Sequence, residues 1–174
     1  QTPGELSDHY DPRDKVLRLS PGVYQGNSMA AVGIAAHEAG HALQDAKRYA
    51  PLVVRNMAVP AANFGSSIGS LLLMVGIGMA VAGMSALGSW FLLAGIIGFG
   101  ATVAFQLVNL PVEFDASSRA KTELINLGII SGPELPYVSK VLNAAALTYV
   151  AATLQAVLTL AYYIFRYMQA TRRE

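Results

Sequence analysis

The chain has 174 residues, 53% of them hydrophobic and only 13% charged, a composition too apolar for an ordinary soluble domain. Twelve Lys and Arg face eleven Asp and Glu, so no net field selects nucleic acid as a partner. Cysteine is absent, which removes disulfide frameworks, thiolate metal sites and cysteine nucleophiles; any metal must bind through His, Asp or Glu.

The chain opens on Gln1 without a basic-then-apolar leader and reads as a processed chain or a fragment lacking an upstream segment. The turn-rich Asp11-Pro12-Arg13-Asp14 precedes an alternation of polar and apolar residues from Lys15 to Leu19, which predicts a short β-hairpin. Its exposed edge near Val16 to Leu19 could take an extended peptide as an added strand. Pro21 and Gly22 end the strand. Asn27 or Ser28 can then cap a helix running to about Arg48, whose loosely apolar side is built from small residues.

From Asn56 to Val112 there are 57 residues without a charge or a histidine. A bilayer crossing takes about 20 apolar residues, so this run predicts a transmembrane hairpin with its turn near Ser85 to Ser89. Gly65 and Gly69 form a GxxxG pair, read as close packing within the bundle. A second uncharged run, Val141 to Phe165, predicts a third crossing, with Tyr162, Tyr163, Phe165 and Tyr167 suited to a headgroup belt. Because a hairpin crosses twice, the polar segments 1–55 and 113–140 emerge on one membrane face and can share a site. The basic tail emerges on the other. Nine of the twelve Lys and Arg lie on the shared face, which favours a cytoplasmic orientation for it. The expected organisation is therefore 1–55 as a catalytic segment, 56–112 as the hairpin, 113–140 as a second catalytic segment, and 141–174 as the last membrane helix and tail. The fold class is mainly α, an integral membrane helical bundle with a small β-hairpin.

His37-Glu38-Ala39-Gly40-His41 spells HExxH on the predicted helix. Residues four apart lie one turn above each other, so two imidazoles can converge on one ion while Glu38 reaches a water bound to it. Zinc in such a site lowers the pKa of its water toward about 7, and a neighbouring carboxylate can take the proton as the water attacks a peptide carbonyl. A chain with three histidines and six glutamates would produce this pattern by chance about 0.002 times. The third histidine, His9, falls in the hairpin and reads first as a turn or surface residue, with a ligand or oxyanion-donor role as the alternative.

A catalytic zinc site usually takes three protein ligands. The extended HExxHxxGxxH pattern fails, because Gln44 and Lys47 occupy the required Gly and His positions. The nearest acids on the same face are Glu113 and Asp115, directly after the hairpin, with Pro111 marking a junction where a new helix can start.

At this point the chain resembles the bacterial neutral zinc metallopeptidases of the membrane. The resemblance rests on His37-Glu38-Ala39-Gly40-His41, Glu113-Phe114-Asp115-Ala116-Ser117, Asp8-His9-Tyr10-Asp11-Pro12, Leu19-Ser20-Pro21-Gly22-Val23-Tyr24 and Ala144 to Val150. It implies an additional N-terminal membrane segment in such proteins. More distantly the chain is similar to gluzincin membrane proteases in which the glutamate of an ExxxD helix is the third ligand. That similarity implies a Zn2+ site of His37, His41 and Glu113, with Glu38 as general base. Those relatives have an aspartate four residues after the glutamate to orient a ligand histidine, whereas this chain has Ser117. Asp115 either supports the site by pairing with Arg119, four residues along, or is a solvated acid. Tyr149, Tyr137, His9 and Arg119 carry donors suited to a developing oxyanion.

The implied activity is a membrane-embedded zinc endopeptidase of the bacterial plasma membrane, acting on peptide or protein substrates that include membrane proteins. The alternative is a membrane scaffold or chaperone with a structural or vestigial zinc site. Intramembrane cleavage is disfavoured, since no acid lies in Asn56 to Val112.

Overall fold

The computed structural model describes residues 1–171; Arg172, Arg173 and Glu174, the end of the predicted basic tail, lie outside the described residues. The molecule is mainly helical, with a two-stranded antiparallel hairpin. Strand β1 (His9–Asp11) pairs with β2 (Val16–Arg18) in the register His9 to Arg18, Tyr10 to Leu17 and Asp11 to Val16. The Asp11 carboxylate accepts hydrogen bonds from the backbone N–H groups of Arg13 and Asp14, an Asx-type turn. Lys15 completes it in the left-handed region at φ +55°.

A single turn, α1 (Pro21–Tyr24), follows. Helix α2 (Met29–Ala46) starts at Ser28, whose hydroxyl accepts from the Ala31 N–H at 3.1 Å. This is the predicted cap. The helix stops two residues short of Arg48, which instead adopts φ +49° and turns the chain out of the helix.

Helix α3 (Ala50–Phe64), a π-helical stretch at Gly65–Gly69 and α4 (Ser70–Val81) form the first long apolar helix. Helix α5 (Ser85–Asn126) and α6 (Leu135–Thr171) are the second and third. All three are long and apolar enough to cross a membrane. Apolar side chains such as Met57, Phe64, Met74, Trp90, Ile97 and Leu158 stand exposed on them, as lipid-facing surfaces require.

Two expectations are corrected. The hairpin turn lies at Ala82 to Met84 rather than at Ser85 to Ser89, because Gly83 takes φ +83° and the Met84 N–H bonds back to the Met79 carbonyl at 2.9 Å. That glycine-centred arrangement closes α4. Pro111 starts no new helix; it sits inside α5, which continues to Asn126. A proline removes one N–H from the helical ladder, but Val112, Glu113 and Ala116 just beyond it are buried at 0%, 3% and 0% exposure. Packing of that segment holds the helix together.

The chain divides into two compact units. Unit one comprises Gln1–Val53 and Leu110–Tyr149. Its core is Ala120, Leu124, Ile130, Val138 and Leu142, against which Met29, Val32 and Ala36 of α2 pack. Unit two comprises Val54–Asn109 and the described part of Val150–Glu174. Here glycines set the packing distance: a Cβ at Gly65 would fall 2.1 Å from the Gly98 carbonyl oxygen, and one at Gly69 would fall 2.8 Å from the Phe99 nitrogen. The GxxxG pair thus packs within the chain, as expected. The Arg55 guanidinium, inside α3, donates to the buried Asn109 side chain at 3.1 Å.

Candidate metal centre

Helix α2 and the far half of α5 meet in unit one at a point where side chains leave no room. A Cβ on Gly40 would lie 2.4 Å from the backbone oxygen of Ala116. The third residue after His37 must therefore be glycine for the two backbones to come this close. The approach brings His37, His41 and Glu113 together, with ligand atoms all within 4.8 Å of one another. His37 Nε2 lies 3.1 Å from Glu113 Oε2, and His41 Nε2 lies 3.6 Å from the same oxygen. The two side chains of histidine are 13% and 12% exposed and that of Glu113 is 4% exposed.

Two imidazole nitrogens and one carboxylate are the donors that zinc accepts, and metal–ligand bonds of about 2.0–2.1 Å in a tetrahedron set neighbouring ligand atoms about 3.3–3.4 Å apart. The observed 3.1 and 3.6 Å bracket that spacing. The outer nitrogens are also provided for. His37 Nδ1 lies 3.1 Å from Ser117 Oγ and His41 Nδ1 lies 3.0 Å from Gln44 Oε1. A ring that donates from Nδ1 presents the lone pair of Nε2 inward. The residues present fit a divalent ion.

Ser117 stands where the distant gluzincins carry an aspartate, and its hydroxyl reaches the same kind of nitrogen. Ser117→Ala is expected to weaken divalent-metal binding about 10-fold, the lower end of what such supporting contacts contribute, as read by competition with a chromophoric chelator. Unchanged affinity would show that Ser117 does not orient His37.

Glu38 is buried at 9% exposure and accepts a hydrogen bond at Oε2 from the backbone N–H of Tyr10 at 2.9 Å. Strand β1 is fixed there by its own side chain, since the Tyr10 hydroxyl donates to Asp45 at 2.8 Å. Burial and the Asp45 carboxylate push this phenol up to about 12, so it stays a donor at neutral pH. Burial raises the Glu38 carboxyl above the usual carboxylate range, against the opposing pull of the two histidines and the Tyr10 N–H. Strand β1 therefore lies beside Glu38, while Val16 and Leu17 of β2 are exposed.

The other predicted site residues divide clearly. Asp115 accepts from Arg119 Nε at 2.5 Å and from Gln44 Nε2 at 2.8 Å, so it is tied to the site rather than solvated. Arg119 is engaged by that carboxylate and by the Tyr49 ring, 5.5 Å from the guanidinium carbon. His9 is exposed, with Nδ1 2.7 Å from the Ser7 carbonyl, and is no member of the metal group. Tyr137 is 60% exposed, and Tyr149 is half-buried on α6. Gln44, fully buried at 0% exposure, carries no role in the sequence reading. Its position three residues after His41 on one helix was the available signal.

A family described as "Putative neutral zinc metallopeptidase" matches residues 1–168. The chain is 49% identical over 151 residues to the "Putative membrane protease YugP" of Bacillus subtilis (strain 168), an alignment covering 87% of this chain and 64% of that protein. The chain thus spans less than two thirds of that relative's length. No solved structure matches it significantly.

Proposed function

Given that this chain belongs to the neutral zinc metallopeptidase family, we propose that it is a membrane-embedded zinc endopeptidase with His37, His41 and Glu113 as metal ligands and Glu38 as general base. The observation that supports it most is the convergence of these three side chains from two helices, with both histidine Nε2 atoms 3.1 and 3.6 Å from one Glu113 oxygen and all ligand atoms within 4.8 Å of one another. Zinc, when bound, supplies a Lewis acid that polarises a carbonyl and acidifies a water.

The chain's own residues supply the rest. Glu38 takes the proton of the water that attacks the peptide carbonyl, then returns it to the departing amine. Tyr10 N–H holds one carboxylate oxygen of Glu38, Oε2. The exposed β2 edge at Val16 and Leu17 would receive an extended peptide. Substrates are peptides or proteins, membrane proteins among them, and cleavage occurs outside the hydrocarbon layer, because every site residue precedes Ala50 or follows Pro111. The surplus of Lys and Arg on that face supports a cytoplasmic site in a bacterial plasma membrane.

Removal of metal tests this reading. Treatment of the purified protein with a zinc chelator is expected to abolish cleavage of a denatured protein substrate, and readdition of about one zinc per chain to restore it. Cleavage that persists after zinc has been shown absent by elemental analysis would refute the proposal.

A further inference from the structure

The amide of Gln44 is hydrogen-bonded at both ends. Its Nε2 lies 2.8 Å from the Val112 carbonyl oxygen and 2.8 Å from Asp115 Oδ2, and its Oε1 lies 3.0 Å from His41 Nδ1. The Val112 acceptor is a backbone carbonyl, which cannot donate and so fixes the amide by itself, and the second acceptor is a carboxylate oxygen that also meets Arg119 Nε at 2.5 Å. The amide therefore has one orientation, with NH2 toward α5 and oxygen toward His41. An oxygen facing Nδ1 requires that nitrogen to carry the hydrogen. The neutral ring then has its lone pair on Nε2, the atom that faces Glu113.

From this geometry we infer that Gln44 is the positioning residue for His41. It sets the ring's tautomer and, by bonding the carbonyl of the residue before Glu113, sets the register of the third ligand against the second. Asp115 and Arg119 act through it. Asp115, two residues from Glu113, is not a member of the metal group and joins the Val112 carbonyl in holding the NH2 end of the amide. The inference rests on the metal-site reading above and deepens it.

The resulting design differs from a carboxylate–histidine pair. Both ligand histidines meet neutral oxygens, the Ser117 hydroxyl and the Gln44 amide, and the nearest charge acts at one remove. A direct carboxylate would make the ring more basic. Here orientation is supplied without that added electron density.

The experiment uses the full chain in detergent or nanodiscs, with Gln44→Met, Asp115→Asn, the double variant, and His41→Ala as reference. Zinc affinity is read by chelator competition and ligand geometry by the visible spectrum after loading cobalt. Gln44→Met keeps the side chain's length and loses its hydrogen bonds. It is expected to weaken zinc binding about 10- to 100-fold and to shift or broaden the cobalt bands. Asp115→Asn leaves a partly exposed polar side chain in place, so it is expected to fold; it should weaken zinc binding about 10-fold at most, because it loosens the pairing with Arg119 and the grip on the Gln44 NH2 while the Val112 carbonyl still orients the amide. The double variant should bind no more weakly than Gln44→Met alone, since Asp115 acts only through that amide. Additive losses would overturn the relay. Wild-type affinity and spectrum in Gln44→Met, with metal lost in His41→Ala, would overturn the role of Gln44 while leaving the site intact. Zinc affinity unchanged in His41→Ala would instead refute the metal-site reading itself.

Discussion

Glu38→Gln is expected to lower kcat/KM for peptide cleavage by about 10²- to 10⁴-fold, the usual contribution of a positioned general acid–base group, with zinc content unchanged. The substitution preserves size and keeps an oxygen that can accept the Tyr10 N–H, which in the native chain is 2.9 Å from Oε2. Among the described residues His37 and His41 are held by groups other than Glu38: their outer nitrogens go to Ser117 and Gln44, and their inner ones face Glu113. What is lost is the capacity to hold a proton. The measurement pairs elemental analysis with a fluorogenic peptide assay. Undiminished turnover with zinc retained would remove Glu38 from the mechanism. The same pair of readouts addresses the scaffold alternative, since a structural zinc site supports no turnover for this substitution to reduce.

Gly40→Ala should have the largest effect on the fold of unit one. The added Cβ would sit 2.4 Å from the Ala116 oxygen, 3.0 Å from its carbonyl carbon and 3.1 Å from its Cα. All three are backbone atoms of α5, which cannot rotate aside as a flexible side chain could. Overpacking of this kind typically costs about 1–3 kcal/mol, although alanine in a helix interior is favoured over glycine by about 1 kcal/mol. The clash is expected to win. The helices must separate, and Glu113 leaves the histidines with them, so zinc affinity should fall further than stability does. Denaturant unfolding and zinc competition on the same preparation would check this. Gly78→Ala is the control, because a Cβ there meets nothing within 4 Å and only the helix preference remains. A Gly40→Ala protein as stable and as well loaded as its parent would mean that α2 and α5 do not approach this closely.

Much of the fold is legible because a bilayer demands what a sequence displays. Long uncharged runs specify three apolar helices, since a crossing needs an unbroken set of internal backbone hydrogen bonds inside an apolar surface. HExxH is legible for a similarly local reason: the turn of one helix by itself brings residues 37 and 41 to the same side. The ends of elements were read less well. The hairpin turn follows the left-handed Gly83, one glycine among sixteen in the chain, and nothing in its immediate neighbours singles it out. Pro111 carries a strong local signal to interrupt, which burial of Val112, Glu113 and Ala116 overrides.

The sequence by itself determined the chemistry on offer: two imidazoles and an acid within one helical turn, a supply of small residues, and apolar spans that deliver residues 113 onward to the same face. Only the tertiary structure decided which groups serve it. Gly40 became a requirement because the Ala116 carbonyl lies against it. Ser117 and Gln44 became partners of the histidines because α5 comes in at one particular register, and the Tyr10 N–H reached Glu38 because β1 is fixed on α2 through Asp45. The physical reason is that periodicity fixes directions only within an element, whereas a hydrogen bond discriminates differences of a few tenths of an ångström between elements. Such distances are set by the packing of whole helices.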